Sequence, residues 1–89
     1  MIEREITVSN RLGLHARASA RLVQLLAGYS STVFLSHRGR EINAKSIMGL
    51  MLLAAGKGSV LGARVDGPDE VEAMRALVDL FERNFDEGE

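Results

Sequence analysis

The chain contains no cysteine. Disulfides, thiol nucleophiles and thiolate metal sites are all excluded at once. Histidine is nearly as scarce: only His15 and His37 occur, and no grouping of His, Asp and Glu has the spacing of a metal site. No stretch approaches the roughly 18 apolar residues of a membrane span. The opening segment MIEREITVSN holds no apolar run of signal-peptide length. Excess charge is missing too. Eleven basic and 12 acidic side chains leave a net −1, so the overall field gives no general pull on nucleic acid or an anionic membrane. Low-complexity segments, linkers and internal repeats are also absent. These absences set the expectation of a soluble, cytoplasmic monomer with no cofactor, no metal, and no nucleic-acid or membrane partner.

What is present fits a single domain spanning 1–89. A domain of this size buries only about 60% of the surface its unfolded chain exposes, so it folds alone with little spare stability. Hydrophobic residues at 46% and charged residues at 26% are ordinary for a globular protein. Residues 2–8 alternate, with Ile2, Ile6 and Val8 opposite Glu3, Glu5 and Thr7, which predicts a half-buried strand. After a turn over Ser9 to Gly13, Ala16–Ala27 is helical in period: Ala18, Leu22, Leu25 and Leu26 form a stripe, and Arg17, Arg21 and Gln24 lie opposite. Gly28 suits the position just past the end. Residues 31–36 and 40–43 read as strands joined by the HRGR turn. Ser46 suits the cap of a short helix, IMGLMLLA, ending before Gly56-Lys57-Gly58. Residues 59–66 alternate as a last strand. Gly67-Pro68-Asp69-Glu70 starts a helix with proline at its first position, carried on by Val71, Met74, Val78, Phe81 and Phe85. The tail DEGE is expected to be solvated. The order β-α-β-β-α-β-α predicts a two-layer α+β fold, one antiparallel or mixed sheet with helices on one face.

His15 stands where loop gives way to helix. The first N–H groups of a helix lack intrahelical acceptors and carry partial positive charge, and three phosphoryl oxygens could be met there. An imidazole at that point offers a nucleophilic lone pair near neutral pH. Arg17 adds a planar, permanently charged fork suited to phosphoryl oxygens, and Gly13 frees the incoming backbone. The plain alternative is a histidine that merely caps or decorates a helix start. Ser46 has the same double aspect: serine is a favoured cap, and a phosphate added to a helix start is also stabilised. The helix after it carries Ile47, Met48, Leu50, Met51, Leu52 and Leu53, more apolar residues than one buried stripe needs. Ile47, Met48 and Met51 are therefore read as an exposed patch for partners, methionine being easily repacked. Ala16, Ala20, Arg21 and Gln24 complete the partner-binding set, the arginines attracting acidic surfaces at its rim together with Arg17. Lys45 and Lys57 are expected to be solvated, and His37 is given no role.

Gly13-Leu14-His15-Ala16-Arg17 resembles the active-site signature of HPr, the histidine-containing phosphocarrier family of the bacterial phosphoenolpyruvate-dependent phosphotransferase system. Asn43-Ala44-Lys45-Ser46-Ile47-Met48-Gly49-Leu50-Met51 resembles the family's regulatory serine segment. Both motifs fall in register with the length and element order, so the resemblance spans nearly the whole chain. It implies an open-faced β-sandwich: a four-stranded antiparallel sheet with three helices on one face. It implies that His15 accepts a phosphoryl group on Nδ1 from phospho-enzyme I and passes it to an enzyme IIA, with Arg17 holding the group. The chain would then be a carrier and not an enzyme. It makes Ser46 a candidate for an HPr kinase/phosphorylase. Many relatives have proline after the arginine, where this chain has Ala18. Alanine keeps its N–H and favours helix, so the helix start is expected to survive. Sugar uptake and the nitrogen-related branch use similar carriers, and both stay open. So do two other readings: a docking module of the same fold, which His15 opposes, and an unrelated domain binding a small ligand between sheet and helices.

Overall fold

The computed structural model describes residues 1–86. The elements follow the sequence pattern: β1 (Ile2–Thr7), α1 (Ala16–Leu26), β2 (Thr32–His37), β3 (Arg40–Asn43), α2 (Ile47–Leu53), β4 (Val60–Asp66) and α3 (Glu70–Glu82), then a 3-10 turn over Asn84–Asp86. The strands form one antiparallel sheet in the order β1-β4-β2-β3. Register aligns Ile6 with Leu61 and Leu35 with both Ala63 and Ile42. One face of the sheet thus carries Ile6, Val33, Leu35, Leu61, Ala63 and Val65 into the core. The other keeps Glu3, Glu5 and Thr7 in water, the alternation a half-covered antiparallel sheet demands. α3 covers β1 and β4, α2 packs on β3, and α1 packs against both other helices. The architecture is the open-faced β-sandwich that the resemblance implied.

α1 ends at Leu26, one residue short of the predicted Ala27, which caps it, with Gly28 just past the cap as expected. α2 stops at Leu53, one residue short of the predicted Ala54, which adopts a left-handed backbone and sends its N–H to the Met51 carbonyl. α3 differs more. Asp69 is its cap, so Pro68 lies outside the helix and not at its first position. The buried face is Ala73, Met74, Leu77, Leu80 and Phe81, while Val71 is exposed and Val78 half-buried. The stripe through Val71 is therefore rotated from the one predicted, because the sheet takes the face holding Ala73 and Leu77. Phe85 is not in the helix: α3 closes at Glu82, and Asn84, Phe85 and Asp86 all take positive φ. This reversal buries Phe85 with its ring edge-on to Phe81, centroids 4.8 Å apart. A four-residue spacing reads as helix, but burial of the ring outweighs helical continuation here. Of the tail, Asp86 is exposed, and 87–89 lie outside the described residues.

The β2–β3 connection is a two-residue turn, Arg38-Gly39, with φ of 53° and 80°. Left-handed backbone costs a non-glycine residue about 1–2 kcal/mol. At the other end of the molecule, Asp69 accepts from the Ser30 and Ser31 N–H groups at 2.8 and 2.9 Å and from the Ser31 hydroxyl. It staples the start of α3 to the α1–β2 loop. That donor set, the Ser31 hydroxyl foremost, lowers the Asp69 carboxyl from an ordinary 3.8 to about 2.

Candidate functional site

The loop before α1 is fixed from beneath. Val8 is clamped by two backbone bonds, its N–H to Ser59 and its carbonyl from Gly58. Asn10 is fully buried and its Nδ2 donates to the Gly13 carbonyl at 2.8 Å. Gly13 turns with φ of 66°, and a Cβ there would lie 2.8 Å from the Gly56 Cα. Only glycine fits on both counts. Leu14 is buried and donates its N–H to the Ala55 carbonyl at 2.9 Å. His15 follows with extended backbone as the cap residue of α1, and the Ser19 N–H meets its carbonyl at 2.9 Å as the first helical bond. The half-buried imidazole makes no capping bond to the helix. The first turn of α1 holds no acidic residue, so no carboxylate within it offsets the partial positive charge of its leading N–H groups.

Arg17 is exposed within that turn, and Ala16, Ala20 and Gln24 line up at four-residue steps as exposed or half-buried positions. Ala18 is fully buried and α1 still begins at Ala16, so the helix start survives without a proline. Arg21 is placed differently from a free rim cation. Its Nη1 donates to the Phe85 carbonyl at 2.6 Å and lies 3.8 Å from the Asp86 carboxylate. It ties α1 to the turn after α3.

Ser46 is the cap of α2, its Oγ accepting from the Gly49 N–H at 3.1 Å. Gly49 lets α2 lie close on β3: a Cβ there would meet the Asn43 carbonyl and Ile42 at 3.3 Å. With Leu50 and Leu53 buried, Ile47, Met48 and Met51 face solvent, Met48 being 75% exposed. Leu52 joins them at 60%. Sequence reasoning passed over it, although its spacing four residues after Met48 puts it on the same side. Ala55, just past α2, is bonded to Leu14, so this apolar face adjoins the His15 loop. Lys57 is exposed as expected. Lys45 is not solvated: it is half-buried and its Nζ donates to the Tyr29 carbonyl at 2.7 Å, because the end of α1 offers an acceptor within reach. The Asn10 anchor was also missed, since an asparagine in a turn gives no hint that it will be buried. Among the described residues no helix is long and apolar enough to cross a membrane, and no cluster has the composition to hold a metal ion.

Known proteins match this arrangement along its length. A family model described as the PTS HPr component phosphorylation site matches residues 2–83. The phosphocarrier protein HPr of Xylella fastidiosa (strain Temecula1) is 59% identical over 87 residues, 98% of each chain. That of Cupriavidus necator is 55% identical over 89 residues, 100% of each chain. The crystal structure of HPr-C-His from Thermoanaerobacter tengcongensis superposes with a TM-score of 0.94 at 44% identity, covering 98% of both chains.

Proposed function

The chain belongs to the HPr family of phosphotransferase-system phosphocarriers, and from that premise we propose that its phosphoryl group travels on His15. The protein is a carrier and not a catalyst that turns over. The observation that carries the site assignment is the start of α1, where an imidazole stands before a helix turn with no carboxylate in it and with Arg17 exposed beside it. The Nδ1 lone pair of His15 attacks the phosphorus of the phosphohistidine on enzyme I. The new N–P bond forms as the donor's N–P bond breaks, and the donor imidazole leaves with the electron pair. The three phosphoryl oxygens meet the leading N–H groups of α1 and the Arg17 guanidinium. The old and new bonds are of one kind, so the same geometry passes the group on to a histidine of an enzyme IIA. Phosphoenolpyruvate with enzyme I is expected to label the protein with an acid-labile, base-stable phosphoryl group. His15→Ala is expected to abolish it, and persistent labelling of that variant would overturn the assignment.

The partners dock on the outward side of α1, through Ala16, Ala20, Arg21 and Gln24, and on Ile47, Met48 and Met51 of α2. Exposed apolar side chains next to the phosphoryl site support this placement. The protein works as a cytoplasmic monomer, since transfer needs that face uncovered. Ser46 is the regulatory position, a substrate for an HPr kinase/phosphorylase. Its phosphorylation adds about −1.5 to −2 charges among Ile47 and Met48. A repulsion of about 1.4 kcal/mol against an acidic partner weakens docking tenfold. Ser46→Asp is expected to slow acceptance from enzyme I at low salt, and unchanged kinetics would remove the electrostatic brake. Transfer confined to a nitrogen-branch enzyme IIA would assign the carrier to regulation, and transfer to a sugar-branch enzyme IIA would assign it to uptake.

A further inference from the structure

Charge is segregated along this chain. Between Ile6 and Val65 the only carboxylate is Glu41, one of the protein's 12 acids. The same span holds eight of its 11 Lys and Arg residues, all but Arg4, Arg75 and Arg83. Glu41 is itself spent on Arg64 at 2.9 Å. The side of the molecule built from α1, α2 and the β2–β3 hairpin is thus cationic, and β1 and α3 carry the acids.

The hairpin tip stands out within that surface. Both of its central residues have positive φ, as in the type I′ turn, which favours Asn-Gly. This chain has Arg38-Gly39. A Cβ-bearing cation is kept in left-handed backbone where a smaller residue would be more comfortable, and unlike Phe85 it gains no burial in return. The Arg38 side chain is exposed and enters none of the described ion pairs. The tip is also tied to α2. The Arg40 guanidinium donates to the Leu52 carbonyl at 2.8 Å, and one depression is lined by His37, Arg38, Arg40, Leu52, Leu53 and Ala54. The exposed Leu52 makes the tip continuous with the apolar face of Ile47, Met48 and Met51.

We propose that Arg38 is a second cationic anchor of the docking surface, pairing with a carboxylate on the protein that delivers the phosphoryl group. Arg17 then serves the phosphoryl group, and Arg38 serves docking alone. The inference rests on the phosphocarrier reading, and its test separates the two. Steady-state phosphorylation by cognate enzyme I is measured for wild type, Arg38→Asn and Arg38→Glu at low and high salt, with thermal melting of each. Arg38→Asn restores the favoured turn pair, so it is expected to melt at or above wild type while KM for the carrier rises about two- to fivefold, the scale of one exposed ion pair. Arg38→Glu is expected to raise KM further, both effects shrinking at high salt, with kcat unchanged. Unchanged KM in both variants, or a fall in kcat alone, overturns the anchor while leaving His15 labelling intact. Failure of wild type to be labelled at all would instead overturn the phosphocarrier reading.

Discussion

Two helix starts in this protein are built in opposite ways. α3 begins under a load of carboxylates: Glu70 and Glu72 lie in its first turn, Glu70 binds the N-terminal ammonium at 2.9 Å and accepts from the Gly67 N–H at 3.2 Å, and Asp69 staples the neighbouring loop. α1 begins with no acid in its first turn and no side-chain cap. The positive end of α3 is neutralised by the chain itself, which stabilises the fold. The positive end of α1 has no such compensation, and under the proposed function it is where the phosphoryl group is received. A helix start that is fully satisfied has nothing to offer a ligand.

The two helix starts should respond differently to substitution. The largest effect is expected from Arg17→Ala, which removes the one side-chain cation in the turn after His15. Transfer from enzyme I should slow about tenfold to a hundredfold, the worth of a charge-assisted bond at roughly 1.5–3 kcal/mol, with the melting temperature unchanged. An equal loss in both would make Arg17 structural. A smaller effect, visible only as a pH dependence, is expected from Asp69→Asn. The folded-state carboxyl lies near 2, below its ordinary 3.8. Its contribution is therefore complete above about pH 3.8 and is lost as pH falls toward 2. Urea midpoints of variant and wild type should differ at pH 7 and converge near pH 2, with transfer at pH 7 unaffected. A gap that stays constant with pH would deny the staple its charge. The smallest is expected from Ala16→Glu, which gives α1 the acidic start of α3. Stability should rise by about 0.3–1 kcal/mol, while phosphoryl acceptance slows. A faster variant would mean that the positive field of this helix start has no part in receiving the group.

Much of the fold was legible in the sequence because its strands alternate cleanly and its first two helices carry one marked stripe or a strong cap. The failures share a cause. Phe85 fitted a helical step from Phe81, but the core reached it by a left-handed reversal. Lys45 and Arg21 looked like solvated cations, but each found a backbone carbonyl from a distant segment, Tyr29 and Phe85. Such partners lie beyond any local window. Leu52 shares a helical side with Met48, but which apolar side of a short helix meets water is settled by the elements packed against it.

Residue type and near neighbours were enough to mark His15 as the candidate nucleophile, Arg17 two residues on, Ser46 as a cap and the order of elements. Tertiary structure decided how these are held. Asn10, Ala55 and Gly56 fix the turn at Gly13, the Leu52 carbonyl holds Arg40 so that the hairpin tip joins the α2 face, and the Phe85 carbonyl ties Arg21 to the turn after α3. Those arrangements depend on backbone groups meeting across the chain, and a backbone N–H or carbonyl is the same at every position until folding chooses its partner.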